Sequence, residues 1–136
     1  MTARGWSPPF VAALVAVALV GLGATLAFGR GGAPSSAERA RTTATQFFDA
    51  LQARRYDHAC DLLSRDFYRL NGVPDRAHCV LGLKVGMSMS DLRYRITGVS
   101  AKNGRATVHA LANGAPGKVV LVEEGGRYKV LALESD

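Results

Sequence analysis

The sequence predicts an α+β domain, with helices packed on a curved antiparallel sheet, that follows an N-terminal transmembrane helix. An uncharged apolar run occupies positions 10–28. Beyond it, apolar residues recur first with the helical period of 3.6 and then, after Met89, with the strand period of 2. Helices followed by strands are typical of α+β folds in which the helices cover one face of the sheet.

The run from Phe10 to Phe28 is predicted to be an uncleaved signal anchor. Its nineteen residues would form a helix about 28 Å long, close to the ~30 Å hydrocarbon core of a bilayer. A cleaved signal peptide stays open as an alternative, with Ser35-Ser36-Ala37 as the cleavage site, although its apolar core is usually only about 7–15 residues. A buried core helix fits the all-round apolar surface poorly, and no cysteine lies directly after the run for lipid attachment.

The chain is therefore expected to consist of a tail at 1–9, the anchor at 10–28, a linker at 29–35 and one domain at 36–136. Arginines after the run outnumber Arg4 before it, which weakly favours a cytoplasmic domain. Cys60 and Cys79 favour export, because an even number of cysteines in a small exported domain is typical of a disulfide. We give the cysteines more weight and expect a single-pass cell-membrane protein with an extracytoplasmic C-terminal domain.

A Cys60–Cys79 disulfide is the preferred interpretation of the two cysteines, and it would stabilise the domain by about 3 kcal/mol. Two unlinked buried thiols are an alternative. A zinc site with His58 and His78 is the other, but ligands one or two residues apart on a helix point in different directions, and structural zinc ligands are spaced more widely. We expect no metal and no cofactor.

The charge distribution argues against nucleic acid as a partner. Fifteen basic and eleven acidic residues follow the linker and are scattered along it, whereas nucleic-acid binding favours a concentrated basic stripe. A solvated surface is the preferred interpretation of these charges, and attraction to anionic lipid headgroups is the functional alternative.

Local signals place the helices. Ser35-x-x-Glu38 is a capping box that predicts a helix over 36–54. Asp57 is expected to cap a second short helix, and the stretch 67–70 fits either a last helical turn or a short strand. The cluster at 71–74 breaks the chain, and Asp75 is expected to cap a third helix that ends near Gly86.

Alternation from Leu92 to Ile96 predicts the first strand, with a bulge at Gly98. Asn103-Gly104 is a strong signal for a two-residue hairpin turn. Further turns are expected at 113–117 and at Gly125-Gly126, which gives a four-stranded meander.

These residues resemble the nuclear-transport-factor-2-like (cystatin-like) superfamily. The resemblance covers positions 36–136 and rests on FFDALQARRYDHACDLLS, a cysteine-bearing third helix and a meander that closes on GRYKVLAL. It is closest to membrane-anchored or secreted actinobacterial members. Tyr128 stands where the family usually has Trp, and a strand between the second and third helices is missing or very short. The resemblance implies a cone-like sheet with a helix-lined cavity. In enzymatic relatives this cavity contains acids, tyrosines or histidines; in other relatives it binds an apolar ligand or is filled by core side chains.

No catalytic residues are predicted for this cavity. The acidic residues of the strand region lie at strand ends or beside turns, and His109 is out of phase with the apolar set, so it is expected on the face opposite the core. Ala106, Ala110 and Ala112 either admit the helices closely or leave a cavity. The residues expected to line that cavity, or to pack as ordinary core, are Phe47, Phe48, Leu51, Tyr94, Val108 and Val130.

The function predicted from the sequence is a non-catalytic accessory or interaction domain that binds the membrane or an envelope protein. The alternative is a carrier or sensor that binds a small hydrophobic ligand in the helix–sheet cavity. An isomerase-like enzyme comes third, because it would require Asp61, Asp66 or a histidine to converge on the cavity with Tyr94.

Overall fold

The elements of the domain follow the order that the change of period predicts. The computed structural model describes residues 33–87 and 91–136, and in this part of the chain helices precede strands. The helices are α1 (Ser36–Gln52), α2 (Tyr56–Asp61), α3 (Arg65–Leu70) and α4 (Arg76–Gly86). The strands are β1 (Tyr94–Lys102), β2 (Arg105–Ala112), β3 (Ala115–Glu124) and β4 (Arg127–Ser135). They form one antiparallel sheet in the order β1-β2-β3-β4, which confirms the α+β class and the meander.

The predicted anchor at 10–28 lies outside the described residues. Within the described ranges, no helix has both the length and the apolar character that crossing a bilayer requires.

Helix α1 begins at the predicted capping box. The Glu38 N–H donates to Ser35 Oγ at 3.1 Å, and the Ser35 N–H donates to Glu38 Oε1 at 2.9 Å. The helix ends at Gln52, two residues earlier than expected, because Arg54 adopts a left-handed φ of 59°. This tight turn leads directly into α2.

The caps of the shorter helices show that the predicted cap at Asp57 was wrong and that the ambiguous stretch 67–70 is helical. Helix α2 begins at Tyr56, and Asp57 lies in its first turn, so the assignment of Asp57 as its cap was wrong. Tyr56 is buried, and holding its ring in the core starts the helix two residues earlier than a cap at Asp57 would. Ser64 caps α3 by accepting from the Phe67 N–H, which makes 67–70 helical. Asp75 caps α4, as predicted.

The strands are joined by two-residue turns. Asn103 and Gly104 have φ values of 53° and 77°, the pair of positive values that a type I′ hairpin requires. The turn after β2 is shorter than expected, since Ala112 already pairs with Ala115. The predicted bulge is confirmed as a register shift between Ile96 and Gly98.

The core lies between the helices and the inner face of the sheet. Helix α1 packs against β1, β2 and β4. The largest fully buried apolar side chains are Phe47, Val108, Leu121 and Val130. Burying an aliphatic or aromatic side chain of this size contributes about 1.5–3 kcal/mol, so this cluster is the main source of stability.

A single residue replaces the strand that the resemblance led us to expect between the second and third helices. Leu63 pairs in parallel with Val130. The Ser64 N–H donates to the Val130 carbonyl and the Val130 N–H donates to the Leu62 carbonyl, each at 2.8 Å. These two bonds join the α2–α3 connection to the edge of β4.

The predicted disulfide between Cys60 and Cys79 is present and joins α2 to α4. It rules out the unlinked thiols and the zinc site as descriptions of this structure. Arg76 Nε also donates to Asp61 Oδ1 at 2.6 Å, and Tyr68 Oη donates to the Cys60 carbonyl at 3.1 Å. The Tyr68 bond joins α3 to α2. Because α4 packs mainly on α2, the disulfide and the Arg76–Asp61 pair hold α4 to the domain.

Replacing both cysteines by alanine should lower the free energy of unfolding by about 3 kcal/mol, since a crosslink of this loop size restricts the unfolded chain. Urea denaturation of the full chain in detergent micelles, with and without reductant, measures the effect. The reductant should destabilise the wild type and leave the double variant unchanged. Equal stability of the two oxidised proteins would contradict the prediction.

Candidate functional site

A groove of about 310 Å³ opens on the inner face of the sheet, near the turn between β2 and β3. We call it the sheet groove. Phe48 of α1 borders it, and the strands supply the remaining lining residues: Ala110, Ala112, Ala115, Pro116, Gly117, Lys118, Val119, Leu133, Glu134 and Ser135. The sheet groove exists because small side chains occupy the end of β2 and the start of β3, where the sheet extends past Phe48.

The chemistry of the sheet groove is mainly apolar. Leu133 forms one wall and is 50% exposed, an unusual state for a leucine on the core side of a sheet. Gly117 is required there, because a Cβ at this position would lie 2.8 Å from the Glu134 carbonyl oxygen. Lys118 and Glu134 border the groove, but the strand register puts their side chains on the opposite face of the sheet, where they pair at 3.7 Å. Such a lining suits an apolar ligand.

The six residues predicted to line a cavity belong to one cluster. Phe47, Leu51, Val108 and Val130 are buried in the core. Phe48 is buried there too and borders the sheet groove, while the half-buried Tyr94 packs against the cluster. The rings of Phe48 and Tyr94 stack with their centroids 4.7 Å apart. Of the three alanines, Ala106 is in the core, whereas Ala110 and Ala112 line the groove.

Tyr94 has a partner that the sequence analysis did not identify. Its hydroxyl donates to Asp49 Oδ1 at 2.6 Å. Burial raises the pKa of Tyr94 to about 12, and the hydrogen bond to Asp49 adds to the effect. Asp49 lies on the exposed side of α1, as its helical position predicts, but Tyr94 is long enough to reach it from the start of β1. The pair joins α1 to the edge strand.

The other acids that an enzyme would require are held by partners on the helices. Arg76 lowers the pKa of Asp61, chiefly through its hydrogen bond at 2.6 Å. Asp66 lies 2.6 Å from Arg69. These carboxylates do not approach Tyr94 in this structure.

The histidines also lie apart from Tyr94. His78 Nδ1 is 2.7 Å from Asp75, and this hydrogen bond is the main reason why the pKa of Asp75 is lowered. His58 and His109 are exposed. In residues 33–87 and 91–136, no group of three or more His, Cys, Asp or Glu side chains is placed to bind a metal ion.

The face of the sheet turned away from the core carries a set of basic side chains. Strand pairing places Lys102 opposite Arg105 and His109 opposite Lys118. His109 is exposed on this face, as its phase predicted. We call this set the basic face; its members are Arg95, Lys102, Arg105, His109 and Lys118.

Comparisons with known proteins identify the fold and not the function. No protein-family model matches the chain, and no curated protein sequence matches it. Solved structures do match. A SnoaL-like protein of unknown function from Burkholderia thailandensis aligns with a TM-score of 0.54 at 14% identity, over 71% of this chain and 93% of that one.

Two further structures agree with this assignment. A protein of unknown function with a cystatin-like fold from Nostoc punctiforme has a TM-score of 0.52 at 11% identity, over 75% of this chain and 93% of that one. A candidate dehydratase of the NTF2-like family from Streptomyces avermitilis has a TM-score of 0.51 at 13% identity, over 71% and 91%. The fold therefore occurs in proteins described as enzymes and in others without an assigned activity.

Tyr94 generates a pH-dependent contribution to stability. Its pKa is about 12 in the folded protein and about 10 in the unfolded chain, so the contribution is complete below pH 10 and is lost as the pH rises towards 12. Urea denaturation of the wild type and of Tyr94→Phe between pH 8 and pH 11 should therefore show the wild type losing its advantage above about pH 10. Tyr94→Phe keeps the ring that stacks on Phe48. A stability difference that stays constant over this range would contradict the prediction.

Proposed function

We propose that this nuclear-transport-factor-2-like domain, which shares its fold with the solved structures above, is a non-catalytic accessory domain. Residues 10–28 would anchor it in the cell membrane and leave it on the extracytoplasmic side. There it would bind a membrane or envelope partner through its exposed sheet. The domain would associate with other envelope components and would not convert a substrate.

The observation that carries the proposal is the distribution of titratable groups. General acid–base catalysis needs such groups inside a pocket that can also hold a substrate. Here Asp61, Asp66 and Asp75 pair with neighbouring basic side chains on the helices, and the lining of the sheet groove is mainly apolar. On the open side of the sheet, the exposed cations Lys102 and Arg105 have no carboxylate partner in the described residues and are available to a partner.

The disulfide supports an extracytoplasmic location. Disulfides persist in oxidising compartments and are rare in the cytosol, where thiols are kept reduced. The Cys60–Cys79 bond closes a loop with a sequence separation of 19 and links α4 to the rest of the domain. A domain that relies on such a link needs an environment in which the bond lasts.

Thiol labelling of intact cells tests both the location and the bond. A membrane-impermeant maleimide should label Cys60 and Cys79 only after an impermeant reductant has been added. Thr42→Cys, exposed on α1, in a chain with both native cysteines replaced by alanine, should react without reductant and serves as the positive control. Native thiols that react without reductant, and only after the cells are permeabilised, would contradict the proposal.

The sheet groove favours a second function, a carrier or sensor for a small hydrophobic ligand. Its volume of about 310 Å³ lies at the small end of the range for ligand pockets, roughly 300–1,000 Å³. The exposed Leu133 side chain would be covered by such a ligand. Apolar surface of this kind on a soluble domain is often a binding site.

A photoreactive long-chain alcohol tests the carrier function by mapping the site of crosslinking. The wild-type chain in lipid nanodiscs should crosslink at peptides from the start of β3 and the end of β4. Ala112→Trp, which fills the sheet groove, should abolish this crosslink. The matched control Ala77→Trp, on the exposed surface of α4, should retain it. Crosslinks that are distributed equally in the wild type and in Ala112→Trp would rule out this second function.

A further inference from the structure

The basic face belongs to a long segment that contains no acidic residue. Between Leu92 and Val122 the chain has five Lys and Arg residues and no Asp or Glu. The rest of the domain, residues 35–91 and 123–136, has ten basic and eleven acidic residues. The surplus positive charge of the domain therefore comes from β1, β2, most of β3 and the segment just before β1.

Several basic side chains on the helices have a close carboxylate partner, whereas two on the basic face have none. On the helices, Arg39, Arg69 and Arg76 each lie within 2.8 Å of a carboxylate oxygen. In the described ranges no carboxylate lies within ion-pair distance of Lys102 or Arg105, whereas Lys118 pairs with Glu134 at 3.7 Å. Lys102 and Arg105 thus carry positive charge that the described part of the domain does not neutralise.

The sheet register brings two like charges together on this face. Lys102 lies directly opposite Arg105. Like charges in directly opposed positions destabilise a sheet. Edge protection against aggregation explains charges on an outer strand such as β1, but β2 and β3 have neighbours on both sides. The arrangement therefore costs stability without serving the folded domain.

Half-buried aliphatic side chains lie among these cations. Leu111 is opposite Arg95, Val122 is opposite Arg105, and Val120 is opposite Thr107, all on the same face. The helices pack on the other face of the sheet, so they leave this one uncovered. A mixture of cations and aliphatic groups matches the anionic headgroups and the adjoining apolar layer of a bilayer.

We propose that the basic face docks on the surface of a bilayer that contains anionic phospholipids. The proposal rests on the proposed membrane anchor, because the seven linker residues from 29 to 35 can extend at most about 25 Å, which keeps the domain near the lipid surface. Bound there, the opposed cations lie against lipid phosphates, and the repulsion between them is relieved. The domain then lies flat on the membrane with its helices towards solvent.

Acylation of lysines in the full chain, reconstituted into nanodiscs, tests this docking. The chain has four lysines, and Lys102 and Lys118 lie on the basic face, whereas Lys84 lies on exposed α4 and serves as the internal reference. Mixing phosphatidylglycerol into phosphatidylcholine nanodiscs should slow acylation of Lys102 relative to Lys84 by about tenfold. Salt at about 0.5 M should remove most of this protection, because it screens charges beyond a few Å.

Variants that replace arginine by glutamine distinguish docking through the basic face from attraction of the whole positively charged chain to anionic lipid. Arg95→Gln/Arg105→Gln should lose the protection of Lys102 and Lys118. The matched control Arg41→Gln/Arg55→Gln removes the same charge from the exposed helical side and should keep it. Melting temperatures no lower than that of the wild type would show that both variants are folded.

Two outcomes would overturn the docking proposal. One is an equal Lys102 to Lys84 ratio in neutral and anionic nanodiscs. The other is protection of Lys102 by a soluble acidic protein or polymer but not by anionic lipid, which would assign the face to that class of partner. If the chain does not remain with nanodiscs of either composition, the proposed anchor is contradicted. The ratio of Lys102 to Lys84 acylation, measured with added anionic and neutral vesicles, would then still test the docking.

Discussion

The burial of one face of α1 against the inner face of the sheet is the constraint on which the rest of the domain depends. Ala40 and Ala44 are completely buried, and their small side chains let the helix approach the strands closely. Phe47 and Val108 fill the space at the centre of the same cluster. A sheet of four strands with one exposed face has no other large apolar partner, so α1 fixes which side of the sheet is inside. The short helices and the turns then follow from that choice.

The remaining helices are attached by different kinds of bonds. The connection between α2 and α3 joins the edge of β4 through two backbone hydrogen bonds at Val130. Helix α4 has Cys79 as its only fully buried residue and is held by the disulfide and by the Arg76–Asp61 pair. Apolar burial therefore stabilises the centre of the domain, while covalent and ionic links stabilise its periphery. This division explains why a domain of this size carries a disulfide at that position.

The same architecture separates the two candidate binding regions. The sheet groove lies on the inner face, where β2 and β3 extend past Phe48 and small side chains leave space. The basic face lies on the opposite side, where side chains alternate away from the core. Carboxylates that could have served catalysis are used to hold helices and edges together, as Asp49 holds Tyr94 and Asp61 holds Arg76. Both regions are thus suited to binding, one to apolar ligands and the other to anionic surfaces.

The sequence by itself determined the features that depend on neighbouring residues: the capping box at Ser35, the hairpin at Asn103-Gly104, the cap at Asp75 and the alternation that puts His109 outside. Only the tertiary structure decided which distant side chains meet. Arg39, expected on the solvent side of α1, lies 5.0 Å from the centre of the Tyr128 ring and pairs with Glu123. Local patterns report backbone geometry and burial, whereas the reach of a long side chain depends on where the sheet curves beneath it. The Tyr94–Asp49 bond therefore had no local signal, whereas the sheet groove had a partial one in Ala110 and Ala112, whose small side chains left close packing and a cavity both open.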